Sequence, residues 1–284
     1  MAKWIHSTLV LFVGVLMLAG CASQQTVNRS SVINYLYPKG TDHKVETDIP
    51  NLTLPLKVGI AFVPQQSSYQ SNSRVMSFNA ISKSLSESLK LELLENVASH
   101  FRPLEYVETI EIIPSDYLTP GGSFTNLEQL QSMYDVDVIA LVSFDQVQLS
   151  DENLLSFSYW TLLGAYIVNG QENDTNTLMD TAVFDIKSRK LLFRAPGTSK
   201  LQASSTFVSL DNSLREDSEK GFKLATEAMI VNLDQQLESF KQKVKAKPEN
   251  YVVSSRQGYH GGATYWLIWL LSLSLISRTI FSRK

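Results

Sequence analysis

A chain of 284 residues with a formal net charge of −3 is long enough to bury one sizeable core. Its acidic balance speaks against nucleic acid as a partner, because a polyanion is held by clustered cations. A single cysteine, Cys21, excludes a disulfide within the chain, and no G-x-S-x-G elbow, H-E-x-x-H helix or Walker phosphate loop occurs anywhere.

The chain begins MAKWIHSTLVLFVGVLMLAGCASQQ. Lys3 gives a positive start, and Leu9 to Leu18 is apolar apart from Gly14. That run has the length of a signal-peptide core and is short for a helix crossing ~30 Å of hydrocarbon. It closes on Leu18-Ala19-Gly20-Cys21, which resembles the bacterial lipobox. The resemblance implies that residues 1–20 are removed and that Cys21 is lipidated and becomes the first residue of the mature protein. Thiolate sulfur is the most nucleophilic side-chain atom available for that acylation. In Gram-negative lipoproteins an aspartate after the cysteine favours the inner membrane. Ala22 stands there instead, so the resemblance favours the outer membrane.

Residues 21–55 are polar with few periodic apolar positions and read as a tether that lifts a domain clear of the headgroups. From there to residue 247 the pattern predicts one α/β domain. Leu56 to Val63 (LKVGIAFV) is a strand ended by Pro64. Asn79 is a plausible N-cap for a helix whose inner stripe is Ile81, Leu85, Leu89, Leu93, Leu94, Val97 and Phe101. Tyr106 to Ile113 alternates as a second strand, and Asn126 to Tyr134 is a short helix. Val136 to Val147 begins as a buried strand and then alternates. Leu154 to Val168 and Leu178 to Ile186 are further strands, with Asp174-Thr175-Asn176 as a hairpin turn between them. Lys187-Ser188-Arg189 turns the chain into a partner arm, Lys190 to Arg194. Asp211 caps a long helix with Phe222, Ala225, Met229, Leu233, Leu237 and Phe240 inward, and lysines 241, 243, 245 and 247 suit its C-terminal end. This order predicts a three-layer α/β domain with a mixed β-sheet covered by helices. The LKVGIAFV and VDVIALVSF strands and the VFDIKSRKLLFR hairpin are similar in pattern to periplasmic lipoproteins of the curli-secretion and penicillin-binding-protein-activator type.

A linker, 248–260, leads to a second apolar segment, 261–284. Gly261-Gly262 opens it, Tyr265, Trp266 and Trp269 cluster at its start, and Arg278, Arg283 and Lys284 close it. Aromatic rings of this kind collect at membrane interfaces, and the basic residues stay cytoplasmic under the positive-inside rule. Everything before Gly262 is then outside the cytoplasm, on the same side as Cys21. Two glycines, an apolar segment and a basic end resemble the GlyGly-CTERM sorting signal, cut in its family by rhombosortase, an intramembrane serine protease. Ala263 stands where the usual tail has serine, and Ser282 divides the basic residues. Lipobox and tail together resemble the rhombotarget lipoproteins. That family implies membrane anchoring, lipoprotein-processing enzymes and a rhombosortase-type protease as partners, and a site in the Gram-negative envelope. Losing Lys3, Arg278, Arg283 and Lys284 from the 25 basic residues, with all 28 acids kept, takes the net charge from −3 to −7.

Candidate chemistry in the middle is sparse. His43, His100 and His260 are scattered, which points away from a metal site, and His100 suits a helix C-terminus. Asp135 and Asp137 flank Val136, with Asp145 further along. Paired acids can perform general acid/base work, or they can be a solvated strand entrance. Gly121-Gly122-Ser123 is an ordinary turn or an anion-binding loop. Tyr159, Trp160, Leu162, Leu163, Tyr166 and Val168 form a rich apolar strand, either covered or open to a partner. The residues therefore call for no cofactor, metal or catalytic group. They predict a non-enzymatic binding or assembly protein with an envelope protein as its partner. A periplasmic hydrolase using loop carboxylates and an activator of cell-wall synthesis are the alternatives.

Overall fold

The computed structural model describes residues 24–38, 48–65, 85–152 and 169–256. In chain order the elements are β1 (Gln24–Arg29), α1 (Val32–Leu36), β2 (Asn51–Leu54), β3 (Leu56–Phe62), α2 (Glu87–Phe101), β4 (Val107–Ile112), α3 (Ser123–Tyr134), β5 (Val138–Glu152), β6 (Gln171–Asp185), β7 (Lys190–Ser205), α4 (Leu210–Ala246) and β8 (Val252–Ser255). The fold is α/β, built on a mixed sheet of order β4-β3-β5-β6-β7.

The two most continuous apolar runs sit side by side at its centre. β3 pairs in parallel with β5 from Val58↔Val138 to Phe62↔Val142, as strands buried on both faces do. β4 lies parallel on the outer side of β3, and β5, β6 and β7 form an antiparallel meander. Where β3 ends, β1 takes its place against β5, antiparallel from Arg29↔Asp145 to Gln24↔Ser150. A separate parallel pair joins β2 to β8.

Alternation along the strands builds two cores. Ile60, Phe62, Val138, Ala140, Val142 and Phe144 face one side under α2 and α4. Ala61, Val63, Ile139 and Leu141 face the other, under α1 and α3. The result is three layers, with both long helices on the same face. On α4 the stripe Phe222, Ala225, Met229, Leu233 and Phe240 is buried. The helix comes so close to β7 that a Cβ on Gly197 would lie 2.2 Å from the Ala225 carbonyl oxygen and 2.3 Å from the Met229 nitrogen. Only glycine leaves room there.

Several elements differ from the sequence reading. The polar stretch read as a tether is built into the fold in part: β1 extends the sheet, and Val32, Tyr35 and Leu36 of α1 are buried. The reason is that β1 is held by backbone pairing, which leaves no apolar period to read. Asp174-Thr175-Asn176 is no turn but the middle of β6, paired to β5 and β7 on both sides. The Ser86 hydroxyl caps α2 by accepting from the Leu89 N–H at 3.3 Å; the proposed cap Asn79 lies outside the described residues. Ser209, not Asp211, is the N-cap of α4. The linker 248–260 contributes β8 before it leaves the described residues.

Candidate functional site

The acids singled out in the sequence are tied to cations, Asp135 and Asp137 at the N-terminal end of β3 and β5 and Asp145 midway along β5. Asp135 takes the left-handed conformation that ends α3, and its carboxylate accepts from Lys57 Nζ at 2.5 Å. That hydrogen bond holds the Asp135 carboxyl below its usual range and raises the Lys57 ammonium. Asp137 accepts from the Lys57 backbone N–H at 3.1 Å and from Arg256 at 2.5 Å. Arg256 also meets Glu108 at 3.1 Å and donates to the Pro55 carbonyl at 3.1 Å. One guanidinium thus joins β8, β4, the β2–β3 junction and the start of β5. Asp145 binds Arg29 at 2.9 Å and so fastens β1. These acids hold strands together.

The loop at Gly121-Gly122-Ser123 is closed from inside. Asn126 Oδ1 accepts from the Thr119 N–H at 2.9 Å and from the Tyr35 hydroxyl at 2.8 Å, while Gly121 adopts a positive φ of 68°. It is a turn. Burial pushes the Tyr35 phenol far up, so it remains a donor to Asn126. His100, in the last turn of α2, pairs with Asp234 of α4 at 2.9 Å and bridges the two helices.

Two of the concavities among the described residues bear on function. The first is a hollow of about 440 Å³ on the sheet face away from α4, lined by Asp151, Glu172 and Asp174 with Gln202 and Ser204. Asp151 and Glu172 are direct cross-strand partners, which places their Cβ atoms roughly 5 Å apart. No histidine lines it.

The second is a cavity of about 110 Å³ between α2, α4 and the sheet. Ile60, Val138, Ala140, Val183 and Leu192 form its buried floor. Phe101, Leu104, Tyr106 and Leu237, all half-buried, form its mouth. The one side-chain hydroxyl on the inner wall, Thr181, is turned to Met229 Sδ at 3.0 Å. At the rim Lys241 lies 4.2 Å above the Tyr106 ring and pairs with Glu238 at 2.6 Å. Burial works against its charge, but hydrogen bonds to Glu238 and Tyr106 outweigh it and hold the ammonium above its usual value. No carboxylate, histidine or cysteine lines this cavity. Sequence periodicity assigned most of these apolar residues to a core. It gave no signal that α2 and α4 would stand apart, because that depends on the spacing between two helices distant in the chain.

The remaining sequence-based residues lie outside the described ones: the lipobox Leu18, Ala19, Gly20 and Cys21, the tail residues Gly261, Gly262, Arg278, Arg283 and Lys284, His43 and His260, and the apolar strand from Leu154 to Val168. Among the described residues, no helix is long and apolar enough to cross a membrane. Nor does any group of three or more His, Cys, Asp or Glu side chains among them fit a metal ion.

No protein-family model and no curated protein matches the chain. Solved structures do match. One is a putative neuraminyllactose-binding hemagglutinin homolog from Helicobacter pylori, 12% identical over 75% of this chain and 97% of that one, with a TM-score of 0.35. A PelC dodecamer from Paraburkholderia phytofirmans is 12% identical, covers 68% of this chain and 92% of its own, and has a TM-score of 0.26. A hypothetical protein from Chlamydia trachomatis is 13% identical over 67% and 96% of the two chains, at 0.22.

Proposed function

We propose that the chain is a lipid-anchored cell-envelope protein whose α/β domain binds or assembles other envelope components without catalysing a reaction. Its C-terminal tail is removed by a rhombosortase-type intramembrane protease. The lipid sits on Cys21, the domain faces the periplasm or cell surface at the outer membrane, and lipoprotein-processing enzymes act on it at the inner membrane.

The observation that carries binding over hydrolysis is the pairing of the acids. Asp135, Asp137 and Asp145 are engaged by Lys57, Arg256 and Arg29, whereas the cavity under α2 and α4 is lined by hydrocarbon. Concave, mostly apolar pockets are the usual form of a small-ligand site. The Arg256 clamp is compatible with the sorting reading, since it ties the chain into the domain five residues before Gly261. Cys21→Ser should abolish incorporation of an alkyne fatty acid and leave the precursor uncleaved. Unchanged labelling of that variant would sink the anchor.

One observation favours the hydrolase as a second reading: Asp151 and Glu172 are close enough for a carboxylate pair. Release of soluble sugars from purified cell-wall polysaccharide, lost in Asp151→Asn and Glu172→Gln, would establish it. Absence of turnover in the native chain removes it.

A further inference from the structure

The cavity between α2, α4 and the sheet also specifies what it can hold. Its surface offers a ligand no polar partner, because its wall is hydrocarbon and the Thr181 hydroxyl is already turned to Met229. A polar group placed inside would lose its hydrogen bonds to water and gain none. The occupant is therefore a hydrocarbon. At about 110 Å³ the chamber compares with an apolar cavity of ~150 Å³ that takes up benzene and stays dry when empty. On that scale it accepts about four carbon atoms, the end of a chain rather than a whole molecule. The rest must leave through the mouth. There the apolar lining continues onto Phe101, Leu104, Tyr106 and Leu237 and meets Lys241, which rests on the Tyr106 ring and shares its ammonium with Glu238 at 2.6 Å. Lys245 stands one turn further along α4.

We infer that this cavity binds the acyl-chain end of an anionic amphiphile, with the chain tip against Ala140 and Val183 and the charged head drawn toward Lys241. The inference deepens the binding reading above and rests on it. A hydrocarbon floor with a cation at the exit is complementary to a carboxylate or phosphate carried on an alkyl chain. The free acid and a membrane lipid share that chemistry. Two contacts on the solvent side, His100–Asp234 at 2.9 Å and Lys223–Glu92 at 2.7 Å, link α2 to α4.

The test uses the full chain in phosphatidylcholine vesicles and a saturated fatty acid carrying a diazirine near its chain end. In one arm the probe is the free acid; in the other it is esterified in phosphatidylglycerol, an anionic phospholipid added to the vesicles. After irradiation, peptide mapping should place adducts within 138–140 and 181–183, where the chain tip rests, and on the facing residues Val97, Ala98 and Leu233. Ala140→Phe fills the floor and should lower the yield by about tenfold or more. Leu237→Trp blocks the mouth from a half-exposed position, so it tests the site even if the floor variant does not fold. Lys241→Gln should lower labelling by the free acid while leaving the thermal melt unchanged. Labelling in the acid arm alone identifies a free acid as ligand; labelling in the lipid arm identifies a bilayer lipid. Adducts confined to other segments in both arms, or adducts at these segments indifferent to both Ala140→Phe and Leu237→Trp, would overturn the inference. Either result leaves the lipid at Cys21 and any envelope partner untouched, so loss of this ligand is distinct from loss of the anchoring reading.

Discussion

The two halves of α4 rest on the same face of the same sheet and are held there by different forces. From Phe222 to Phe240 the helix buries aromatic and aliphatic side chains against Phe144, Met179, Val183 and Ala195, with Phe144 and Phe222 edge to face at 5.4 Å. Nearer its start it meets a polar strip. Gln146 donates to Thr177 Oγ1 at 2.8 Å and to the Ser218 carbonyl at 3.1 Å, and accepts from the Ser218 hydroxyl at 2.6 Å. Gln148 repeats the device with Thr175 and the Leu214 carbonyl. Ser150, Asn173 and Ser205 continue it along the strands. The lesson is that the strands extend well past the apolar core because each inward polar group finds a partner, which makes burial of that strip tolerable. Net stabilisation there is small, since a neutral hydrogen bond returns only about 1 kcal/mol. Tight closure belongs to the apolar half.

One large effect should come from prising the helix off the sheet where they touch. Gly197→Ala places a methyl group on the Ala225 and Met229 backbone, and a loss of about 3 kcal/mol is expected in urea denaturation. A loss under ~1 kcal/mol would mean that α4 rides higher than described.

Truncation then compares the halves directly. Phe222→Ala in the apolar half should cost about 3–4 kcal/mol through lost burial and a residual cavity. Gln146→Ala in the polar half should cost less, about 2 kcal/mol, and for another reason: Thr177 and Ser218 lose their buried partner. A double-mutant cycle of Gln146→Ala with Ser218→Ala separates the mechanisms, because two groups removed together cost less than the sum of the single changes. Strict additivity would mean that water already serves this strip.

That contrast also explains what the sequence made legible. Leu56–Phe62 and Val138–Phe144 were readable as central strands because both faces are apolar. The stripe on α4 was readable because burial imposes a helical period on Phe222, Ala225, Met229 and Leu233. The polar half was not. Asn173, Asp174, Thr175 and Asn176 carry turn-forming side chains and no hydrophobic alternation, yet two flanking strands fix them as extended chain. Pairing over long sequence separation overrode local propensity. β1 was missed for the same reason. Its Val27 is 43% exposed, and its hold on the sheet is the backbone ladder and Arg29. At the candidate site, the acids near Asp135 were visible as residues but not as ion-pair partners. Lys57 and Arg256 reach them from chain positions far away. The cavity was legible only as apolar residues.

The mature protein decides the proposed function. Intact-mass analysis of protein extracted from membranes, from a strain that carries the sorting protease, tests it most directly. The mass should correspond to a chain beginning at Cys21 with its acyl groups and ending near Gly261-Gly262, with the segment from about Tyr265 onward gone. Replacing both glycines with leucine should leave the tail in place. A native protein whose mass includes every residue through Lys284, or whose Cys21 carries no lipid, would contradict the proposed function.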